Sequence, residues 1–342
     1  METPAGWFNN FYRIILKARN INIFSINTEK DFHSAALDIF RLQYKHNEVY
    51  RRYCDSLGTD PSSVENLKDI PFIPVSLFRD HKVFTGEGAA SVIFSSSGTT
   101  GSKQAHHYVK DIDLYERSFT EGFRYFYGDP GSYVILALLP SYSEREGSSL
   151  IYMVDHLIKA SGSGAGGYYL NDYERLVKDA SFYREQGEKI ILFGVTYALL
   201  ELAEKMAPDL SGLIVMETGG MKGKRKEITR EELHKKLASS FKVASIHSEY
   251  GMTELLSQAY SKGGGIFNPP GWMKVLVRDL YDPFSYVDDG KTGGINIIDL
   301  ANINSCSFIE TSDLGYKVGG SSFCISGRFD NSDIRGCNLL VQ

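Results

Sequence analysis

The residues Ser95–Lys103, with the sequence SSSGTTGSK, place hydroxyl side chains, two glycines and a lysine directly after the apolar run Val92–Phe94. Residues of these types bury little apolar surface and specify no regular element, so the pattern indicates binding rather than packing. Gly98 and Gly101 free successive backbone N–H groups, which suit a polyphosphate together with the hydroxyls and the Lys103 ammonium. The spacing of the glycines is not that of the G-x-x-x-x-G-K-[ST] loop, whose mechanism therefore cannot be transferred. The alternative is a Ser/Gly loop without a ligand.

A second polar stretch, His247–Glu254 (HSEYGMTE), follows a predicted buried strand and holds two carboxylates and a histidine. Burying such groups costs free energy unless they have partners, so a function is indicated. Glu254 could hold an Mg2+ ion that bridges phosphates. The alternative is an ordinary helix start, in which Thr253 caps a helix over the following LLSQAY and Glu254 interacts favourably with the helix dipole.

Two motifs near the C-terminus add a carboxylate and a guanidinium. The sequence ETSDLG predicts a turn in which Asp313 could accept hydrogen bonds from two vicinal sugar hydroxyls, or could form a plain Asx turn. Arg328, fifteen residues further on, could contact ribose or phosphate, or could pair with a surface acid. His106 and His107 could orient a carboxylate or a phosphate, or could be an exposed pair without further role.

The elements that must position these motifs form an α/β pattern, because short apolar runs alternate with amphipathic stretches. In open α/β sheets the ligand lies beyond the carboxyl ends of the strands, so we expect the loops that follow the predicted strands to meet at one site. The five predicted strands are residues 91–94, 133–139, 190–193, 213–216 and 242–246.

The chain is predicted to have three regions. Residues 1–80 are expected to be mostly helical, residues 81–264 to form an α/β nucleotide-binding core, and residues 265–342 to form a β-rich subregion that ends in a cysteine-bearing tail. Within the core, Thr229–Glu232 is a predicted capping box, followed by apolar residues at every fourth position to residue 241.

The amino-acid composition and charge of the chain limit the classes of protein to which it could belong. Hydrophobic residues make up 42% of the chain and charged residues 23%, as in an ordinary globular enzyme. The net charge of -5 and the pI near 5.9 offer no basic field for nucleic acid. No signal peptide or membrane-spanning run is visible, so a cytoplasmic protein is expected. The four cysteines lie far apart without a CxxC pair, which favours free thiols in a reducing compartment; they are Cys54, Cys306, Cys324 and Cys337.

Taken together, the motifs resemble a known superfamily. SSSGTTGSK, the glycine pair at 219 and 220, YGMTE, TSDLG and GRFDNSD occur in the order and approximate spacing of the signatures of the acyl-adenylate-forming enzymes, which include acyl-CoA synthetases, luciferases and nonribosomal adenylation domains. Within that superfamily the chain most resembles the LuxE-type acyl-protein synthetases, through IPFIPVSLF, the SSL of EGSSLIYMVDHLI, GGMKGKRKEITREEL and IRGCNLL. The resemblance covers nearly the whole chain.

The resemblance implies one large adenylating domain, with β-sheets flanked by helices and a β-rich C-terminal subregion. It implies that a carboxylate attacks the α-phosphorus of ATP to give an acyl-adenylate and pyrophosphate, with charge stabilised by Mg2+ and cationic groups. The residues implied for ATP and Mg2+ are Ser95, Ser96, Ser97, Gly98, Thr99, Thr100, Gly101 and Lys103 at the phosphates, Gly219 and Gly220 at adenine, Tyr250, Gly251, Met252, Thr253 and Glu254 at adenine and Mg2+, Asp313 at ribose and Arg328 beside it.

The chain departs from the superfamily pattern at three places, one of which is the acid downstream of the GR motif, Asp333, shifted by about one residue. The usual loop has proline before its lysine, where this chain has Ser102. The usual fold continues into a small mobile lid with a catalytic lysine, whereas this chain ends 14 residues after Arg328, so we expect the lid to be absent. Lys103, Lys222 and Lys224 are candidates for the replacing cation.

Cys337 is the predicted acyl acceptor, since the resemblance implies a cysteine near the C-terminus in that role. Gly336 allows the segment to move and Arg335 favours the thiolate, although an unperturbed thiol with a pKa of about 8.5 would suffice against an acyl-adenylate. The alternative for any cysteine is an unremarkable thiol.

The predicted function is therefore ATP-dependent activation of a fatty or similar carboxylic acid, followed by thioester formation on Cys337. Transfer to a partner would follow, and the resemblance implies an acyl-accepting reductase or a carrier protein. A second hypothesis is an acyl- or aryl-CoA ligase, or a carrier-protein acyl ligase, with an external thiol. A third is a non-catalytic nucleotide-binding subunit of an acyl-processing complex.

Overall fold

The computed structural model describes residues 22–96, 103–140, 146–161, 166–170, 172–219 and 228–329. Its strands are β1 (Ile73–Pro74), β2 (Val92–Ser95), β3 (His106–Val109), β4 (Val134–Leu138), β5 (Gly166–Tyr168), β6 (Ile190–Val195), β7 (Ile214–Thr218), β8 (Ile246–Tyr250), β9 (Ala259–Ser261), β10 (Ile266–Phe267), β11 (Met273–Arg278), β12 (Gly293–Asp299), β13 (Phe308–Gly319) and β14 (Ser322–Arg328). Its α-helices are α1 (Glu29–His46), α2 (Glu48–Ser56), α3 (Leu77–Asp80), α4 (Ile112–Tyr127), α5 (Ser149–Ala160), α6 (Tyr173–Glu185), α7 (Thr196–Lys205) and α8 (Arg230–Phe241). Short 3-10 helices span Ile23–Ser25, Leu67–Asp69, Pro130–Ser132 and Leu300–Asn302.

A six-stranded sheet carries the central part of the chain, in the order β5-β4-β6-β7-β8-β9. The first five strands pair in parallel, and β9 runs antiparallel to β8. Every residue of β4 and of β6 is buried, as expected for parallel strands that are covered on both faces. The carboxyl ends of β4, β6, β7 and β8 therefore lie along one edge, and the polar motifs begin there.

Two strand predictions need correction. The predicted strand 91–94 exists as β2, but it pairs with β3 in a separate two-stranded sheet instead of joining the central sheet. The predicted strand 242–246 is wrong in position, because the strand begins at Ile246 and runs through Tyr250. Lys242 is a left-handed cap after α8 with a φ of 56°, so it ends the helix rather than starting a strand. The other three runs, 133–139, 190–193 and 213–216, overlap β4, β6 and β7 and are confirmed.

A second sheet holds the last described part of the chain, in the order β10-β14-β13-β12-β11. The β-rich character predicted after residue 264 is confirmed by these strands. Strand β1 adds to the sheet in parallel with β13, with Ile73 opposite Ile309. This pairing brings the N-terminal region to the C-terminal sheet. The three-region division itself stays a prediction.

Helix ends follow the side-chain capping rules. The predicted capping box is confirmed: the Glu232 backbone N–H donates to the Thr229 hydroxyl, and the Thr229 N–H donates to the Glu232 carboxylate. In the N-terminal region that was expected to be mostly helical, Asn47 separates two helices, because it ends α1 and caps α2 by accepting from the Tyr50 N–H. Among the described residues, no helix is both long enough and apolar enough to span a membrane.

Candidate functional site

Tyr250 of the central sheet meets Asp313 and Arg328 of the C-terminal sheet. The Tyr250 hydroxyl donates to Oδ2 of Asp313 over 2.7 Å, and Nε of Arg328 lies 3.0 Å from Oδ1 of the same carboxylate. Asp313 is in the middle of β13 and directly opposite Arg328 on β14, so the predicted turn at TSDLG is wrong. The three residues come from separate motifs, and their side chains form one hydrogen-bonded group.

The protonation states in this group follow from burial. Burial and the Asp313 carboxylate hold the pKa of Tyr250 well above its usual value, so the phenol stays a neutral donor. The Arg328 side chain remains 69% exposed, whereas Asp313 is buried. A ligand could therefore approach the guanidinium from solvent, with the carboxylate directly behind it.

Glu254 lies in the loop that leaves β8, and its side chain is buried. Burial raises the pKa of Glu254 to about 7, although the positive charges of Arg328 and Arg79 act in the opposite direction. Thr253 caps no helix, since the chain turns from Tyr250 into the strand β9 instead of forming the alternative helix over LLSQAY. Contacts of the loop, and not a helix, therefore fix the position of the Glu254 carboxylate.

Those contacts come from two other elements. The carbonyl oxygen of Thr253 accepts from Nδ1 of His107 over 2.8 Å, and the carbonyl oxygen of Glu254 accepts from Nδ2 of Asn302 over 2.7 Å. Oδ2 of the buried Asp299 accepts from the backbone N–H groups of Leu256 and Ser257, at 2.9 and 3.0 Å. The loop around Glu254 is consequently fixed at both ends. Sequence analysis missed Asp299 and Asn302, because nothing in INIIDLANIN distinguishes them from an ordinary strand end.

The two neighbouring histidines differ from each other, and the alternative of an exposed pair is wrong. His107 is 1% exposed, and burial lowers its pKa to about 4, which keeps it neutral. Its ring also lies 3.1 Å from Oδ1 of Asn302. His106 points to the other side of β3, where its Nδ1 lies 3.1 Å from Oγ of Ser95.

Only the two ends of the predicted phosphate loop fall within the described residues. Ser96 and Ala105, on either side of the loop, are hydrogen-bonded to each other. The Ser96 N–H donates to the Ala105 carbonyl, and the Ala105 N–H donates to the Ser96 hydroxyl. Nζ of Lys103 lies 2.8 Å from Oδ1 of Asp80 at the surface. Ser97, Gly98, Thr99, Thr100 and Gly101 lie outside the described residues, and the phosphate-binding role stays a prediction.

A buried polar cluster lies under the predicted adenine loop, and sequence analysis did not select it. Glu217 at the end of β7 accepts from the hydroxyls of Thr196 and Ser248, at 3.0 and 2.9 Å. Burial acts to raise the Glu217 pKa, but His234 and Arg230 outweigh it and hold the pKa below its usual value. The sequence did contain a signal for this cluster, because Glu217 is an acidic residue at the end of the apolar run in IVMETGG.

Two glycines of the predicted site have backbone roles. Gly219 adopts a left-handed φ of 69°, and its carbonyl oxygen accepts from the Thr196 hydroxyl over 2.8 Å. Gly251 lies so close to its surroundings that a Cβ atom there would be 2.4 Å from Oε1 of Glu249. Gly220 lies outside the described residues, as do Lys222 and Lys224.

The described cysteines fit the interpretation of unremarkable thiols. Cys54 and Cys306 are buried, and burial raises the pKa of each thiol, to about 12 for Cys54. Cys324 is half-buried on β14. Cys337 lies outside the described residues, and its role stays a prediction.

Two solved structures illustrate the fold that this chain shares. A 2-hydroxyisobutyryl-CoA ligase in complex with 2-HIB-AMP and CoA matches with a TM-score of 0.66 at 15% identity, over 90% of this chain and 70% of that chain. ATP-bound MatB from Rhodopseudomonas palustris matches with a TM-score of 0.53 at 16% identity, over 71% of this chain and 49% of that chain. The predicted fold class, the large domain of the acyl-adenylate-forming ligases, is confirmed.

Sequence comparisons show which proteins this chain is similar to. The family model "Acyl-protein synthetase, LuxE" matches residues 9–131. A long-chain-fatty-acid–luciferin-component ligase from Photorhabdus luminescens is 40% identical over 76 residues, which are 22% of this chain and 65% of that protein. The Vibrio harveyi protein of the same name is 24% identical over 331 residues, covering 89% of this chain and 85% of that protein. The predicted resemblance to the LuxE-type acyl-protein synthetases is confirmed, and the names of these relatives support the predicted class of acid ligase.

Proposed function

We propose that this chain activates a fatty or similar carboxylic acid with ATP and then carries the acyl group on the thiol of Cys337. The observation that carries the proposal is the convergence of Tyr250, Asp313 and Arg328 beside Glu254. A buried carboxylate next to an exposed guanidinium suits a ribose with its neighbouring phosphate, because the carboxylate accepts from hydroxyls and the guanidinium donates to phosphate oxygens.

The reaction has two steps. In the first, a carboxylate oxygen of the acid attacks the α-phosphorus of ATP, and the bond to the bridging oxygen breaks to release pyrophosphate. In the second, the Cys337 thiolate attacks the acyl carbonyl, and AMP leaves as the thioester forms. Lys103 and Arg328 would stabilise the negative charge that develops on the phosphates during the first step. Transfer of the acyl group from Cys337 to a partner protein completes the proposal.

Glu254 would be the protein ligand of Mg2+. The ion commonly binds through one or two carboxylates together with substrate phosphates and water, and a single carboxylate in this loop fits that arrangement. Burial raises the pKa of Glu254 to about 7, so a nearby cation would favour its ionised form. When bound, the ion would neutralise charge on the phosphates.

An external thiol is the second candidate acceptor. The 2-hydroxyisobutyryl-CoA ligase of the same fold was solved with CoA bound. A CoA-dependent reaction would use the same first step and leave Cys337 unused.

The test is intact-protein mass spectrometry after incubation with Mg·ATP and a panel of fatty acids. We expect an acyl-sized increment on the wild type and none on Cys337→Ser, while the control Cys324→Ser still gains it. Release of AMP without any increment, and only when CoA is added, would favour the external thiol. Absence of acid-dependent pyrophosphate exchange in the wild type would contradict the proposed function as a whole.

A further inference from the structure

The strand β13 is irregular at the position of Asp313. Its pairing with β12 shifts there, so that the three residues 311–313 stand opposite the single residue Ile295. A bulge of this kind redirects side chains and leaves backbone groups without their usual partners in the sheet. The direction of the Asp313 carboxylate therefore depends on the contacts that hold the bulge in shape.

The guanidinium of Arg278, the last residue of β11, lies at this bulge and is buried. Its Nη1 donates to the carbonyl oxygen of Ile295 over 3.0 Å and to Oδ1 of Asn296 over 2.8 Å. Its Nη2 donates to the carbonyl oxygen of Thr311 over 2.8 Å. One side chain thus binds backbone carbonyls of both strands where their pairing is interrupted.

The surroundings of Arg278 fit an arginine in space and in charge. Gly294 pairs with Arg278 across β11 and β12, and a Cβ atom on this glycine would lie 2.3 Å from Cζ of the arginine. Oε1 of Glu310 lies 3.5 Å from Nη2 and supplies the opposite charge. A buried charge is costly unless it is paired and hydrogen-bonded, and this guanidinium is both.

Thr311 connects Arg278 with the backbone of Asp313. The Thr311 hydroxyl donates to the carbonyl oxygen of Ile295 over 2.8 Å, the same oxygen that accepts from Arg278. The Asp313 backbone N–H donates to that hydroxyl over 3.1 Å. The carbonyl and the hydroxyl of Thr311 are therefore held by separate contacts, and both contacts lead to the residue that carries the carboxylate of the candidate site.

We propose that Arg278 is a positioning residue for ribose recognition, because it holds the bulge of β13 in the shape that directs the Asp313 carboxylate to the two vicinal hydroxyls of a bound nucleotide. The inference rests on the proposed function, in which Asp313 binds the ribose. Arg278 acts through Asp313, so it should matter only for nucleotides that carry ribose hydroxyls. A lysine keeps the charge but replaces the planar set of donors with one nitrogen, which cannot bind both carbonyls in the same geometry.

The test is calorimetric titration of the whole chain with Mg·ATP and with Mg·2′,3′-dideoxyATP, which lacks both ribose hydroxyls. We expect the wild type to bind ATP about tenfold or more tightly than dideoxyATP, because hydrogen bonds to a carboxylate are lost. In Arg278→Lys this preference should fall to about threefold or less, and the Kd for dideoxyATP should stay within about twofold of the wild type. Thr311→Val removes the hydroxyl that binds the Asp313 N–H, and it should lower the preference in the same direction.

Asn47→Ala is the control for a general loss of stability. Asn47 is buried and donates to the carbonyl oxygen of Ser305, away from the bulge, so its substitution removes a buried hydrogen bond without touching β12 or Asp313. This variant should keep the preference of the wild type. Asp313→Asn should abolish the preference, and adding Arg278→Lys to it should change the preference no further.

A preference for ATP in Arg278→Lys that equals that of the wild type overturns the inference, and so does an equal weakening of both nucleotides. If Arg278→Lys does not fold, Thr311→Val decides, since an unchanged preference there also overturns it. A wild type that does not bind ATP rejects the proposed function together with the inference. A wild type that binds both nucleotides equally rejects the ribose role of Asp313, whereas a wild type that prefers ATP while Arg278→Lys does so equally rejects the inference alone.

Discussion

The hydroxyl of Tyr250 lies 2.7 Å from Oδ2 of Asp313, and this one hydrogen bond joins the end of β8 in the central sheet to β13 in the C-terminal sheet. The two residues are 63 positions apart in the sequence. Both were predicted to bind the nucleotide, at adenine and at ribose respectively. Both sheets therefore contribute residues to the proposed nucleotide site.

Tyr250→Phe should test this contact. The substitution removes the donor and leaves a buried carboxylate oxygen of Asp313 without its partner, which costs about 1–3 kcal/mol. We expect the free energy of unfolding in urea to fall by that amount and the KM for ATP to rise. The control is Tyr281→Phe, because Tyr281 is 92% exposed and should change neither quantity. An unchanged stability of Tyr250→Phe would show that the contact does not couple the sheets.

Asp299 should be needed for the position of Glu254. Its carboxylate accepts from two backbone N–H groups of the following loop and from the Ser257 hydroxyl, at 2.6 Å. Asp299→Asn keeps the shape but replaces one acceptor with a donor, so we expect a loss of about 2 kcal/mol or more. Chemical denaturation measures this loss, and the Mg2+ dependence of pyrophosphate exchange reports the displacement of Glu254.

The matched control for this change is Asp288→Asn. Asp288 is an exposed surface carboxylate that pairs with Lys291. Its substitution should leave stability and Mg2+ dependence unchanged. Equal effects of the two variants would mean that Asp299 does not hold the loop in solution.

Glu249 should make stability depend on pH. Burial raises its pKa to about 7, from an ordinary value of 4.5 in the unfolded chain. A carboxyl group with a raised pKa contributes stability below pH 4.5, and this contribution is lost as the pH rises through 7. Glu249→Gln resembles the protonated acid and cannot ionise. We therefore expect the variant to gain stability relative to the wild type between pH 5 and 8, by up to about 3 kcal/mol.

Urea denaturation at several pH values measures this difference. Glu48→Gln is the control, because Glu48 is largely exposed on α2. The difference in unfolding free energy between this variant and the wild type should not change with pH in the same way. A Glu249→Gln variant whose relative stability falls with rising pH would contradict the assignment.

Gly251→Ala should disturb the site through packing alone. A Cβ atom there would come within 2.4 Å of Oε1 of Glu249 and 3.3 Å of Cγ of Gln258, so these buried side chains must move. Such overpacking typically costs about 1–3 kcal/mol. Gly327→Ala is the control, since the space around Gly327 is open, and it should change stability little. We expect Gly251→Ala to lose both stability and pyrophosphate exchange. If the two variants have equal stability and activity, a glycine is not required at position 251.

Much of the framework was predictable from local patterns. Buried parallel strands such as β4 and β6 read as unbroken apolar runs, and the Thr229–Glu232 cap is set by neighbouring residues, so both were correctly predicted. The ordered motifs also indicated the resemblance to the LuxE-type acyl-protein synthetases that the comparisons confirmed. In these cases the physical causes act over a few residues.

Other features depend on contacts between distant parts of the chain, and here sequence reasoning failed or remained incomplete. TSDLG has the composition of a turn, but pairing with β14 makes it strand and places Asp313 opposite Arg328. LLSQAY could continue as a helix, but Asp299, more than 40 residues away, takes up its backbone N–H groups. The sequence by itself determined which residue types are available for the proposed chemistry and the order in which they occur. The tertiary structure decided which of them are buried and which meet, because pairing and desolvation depend on neighbours that are remote in sequence.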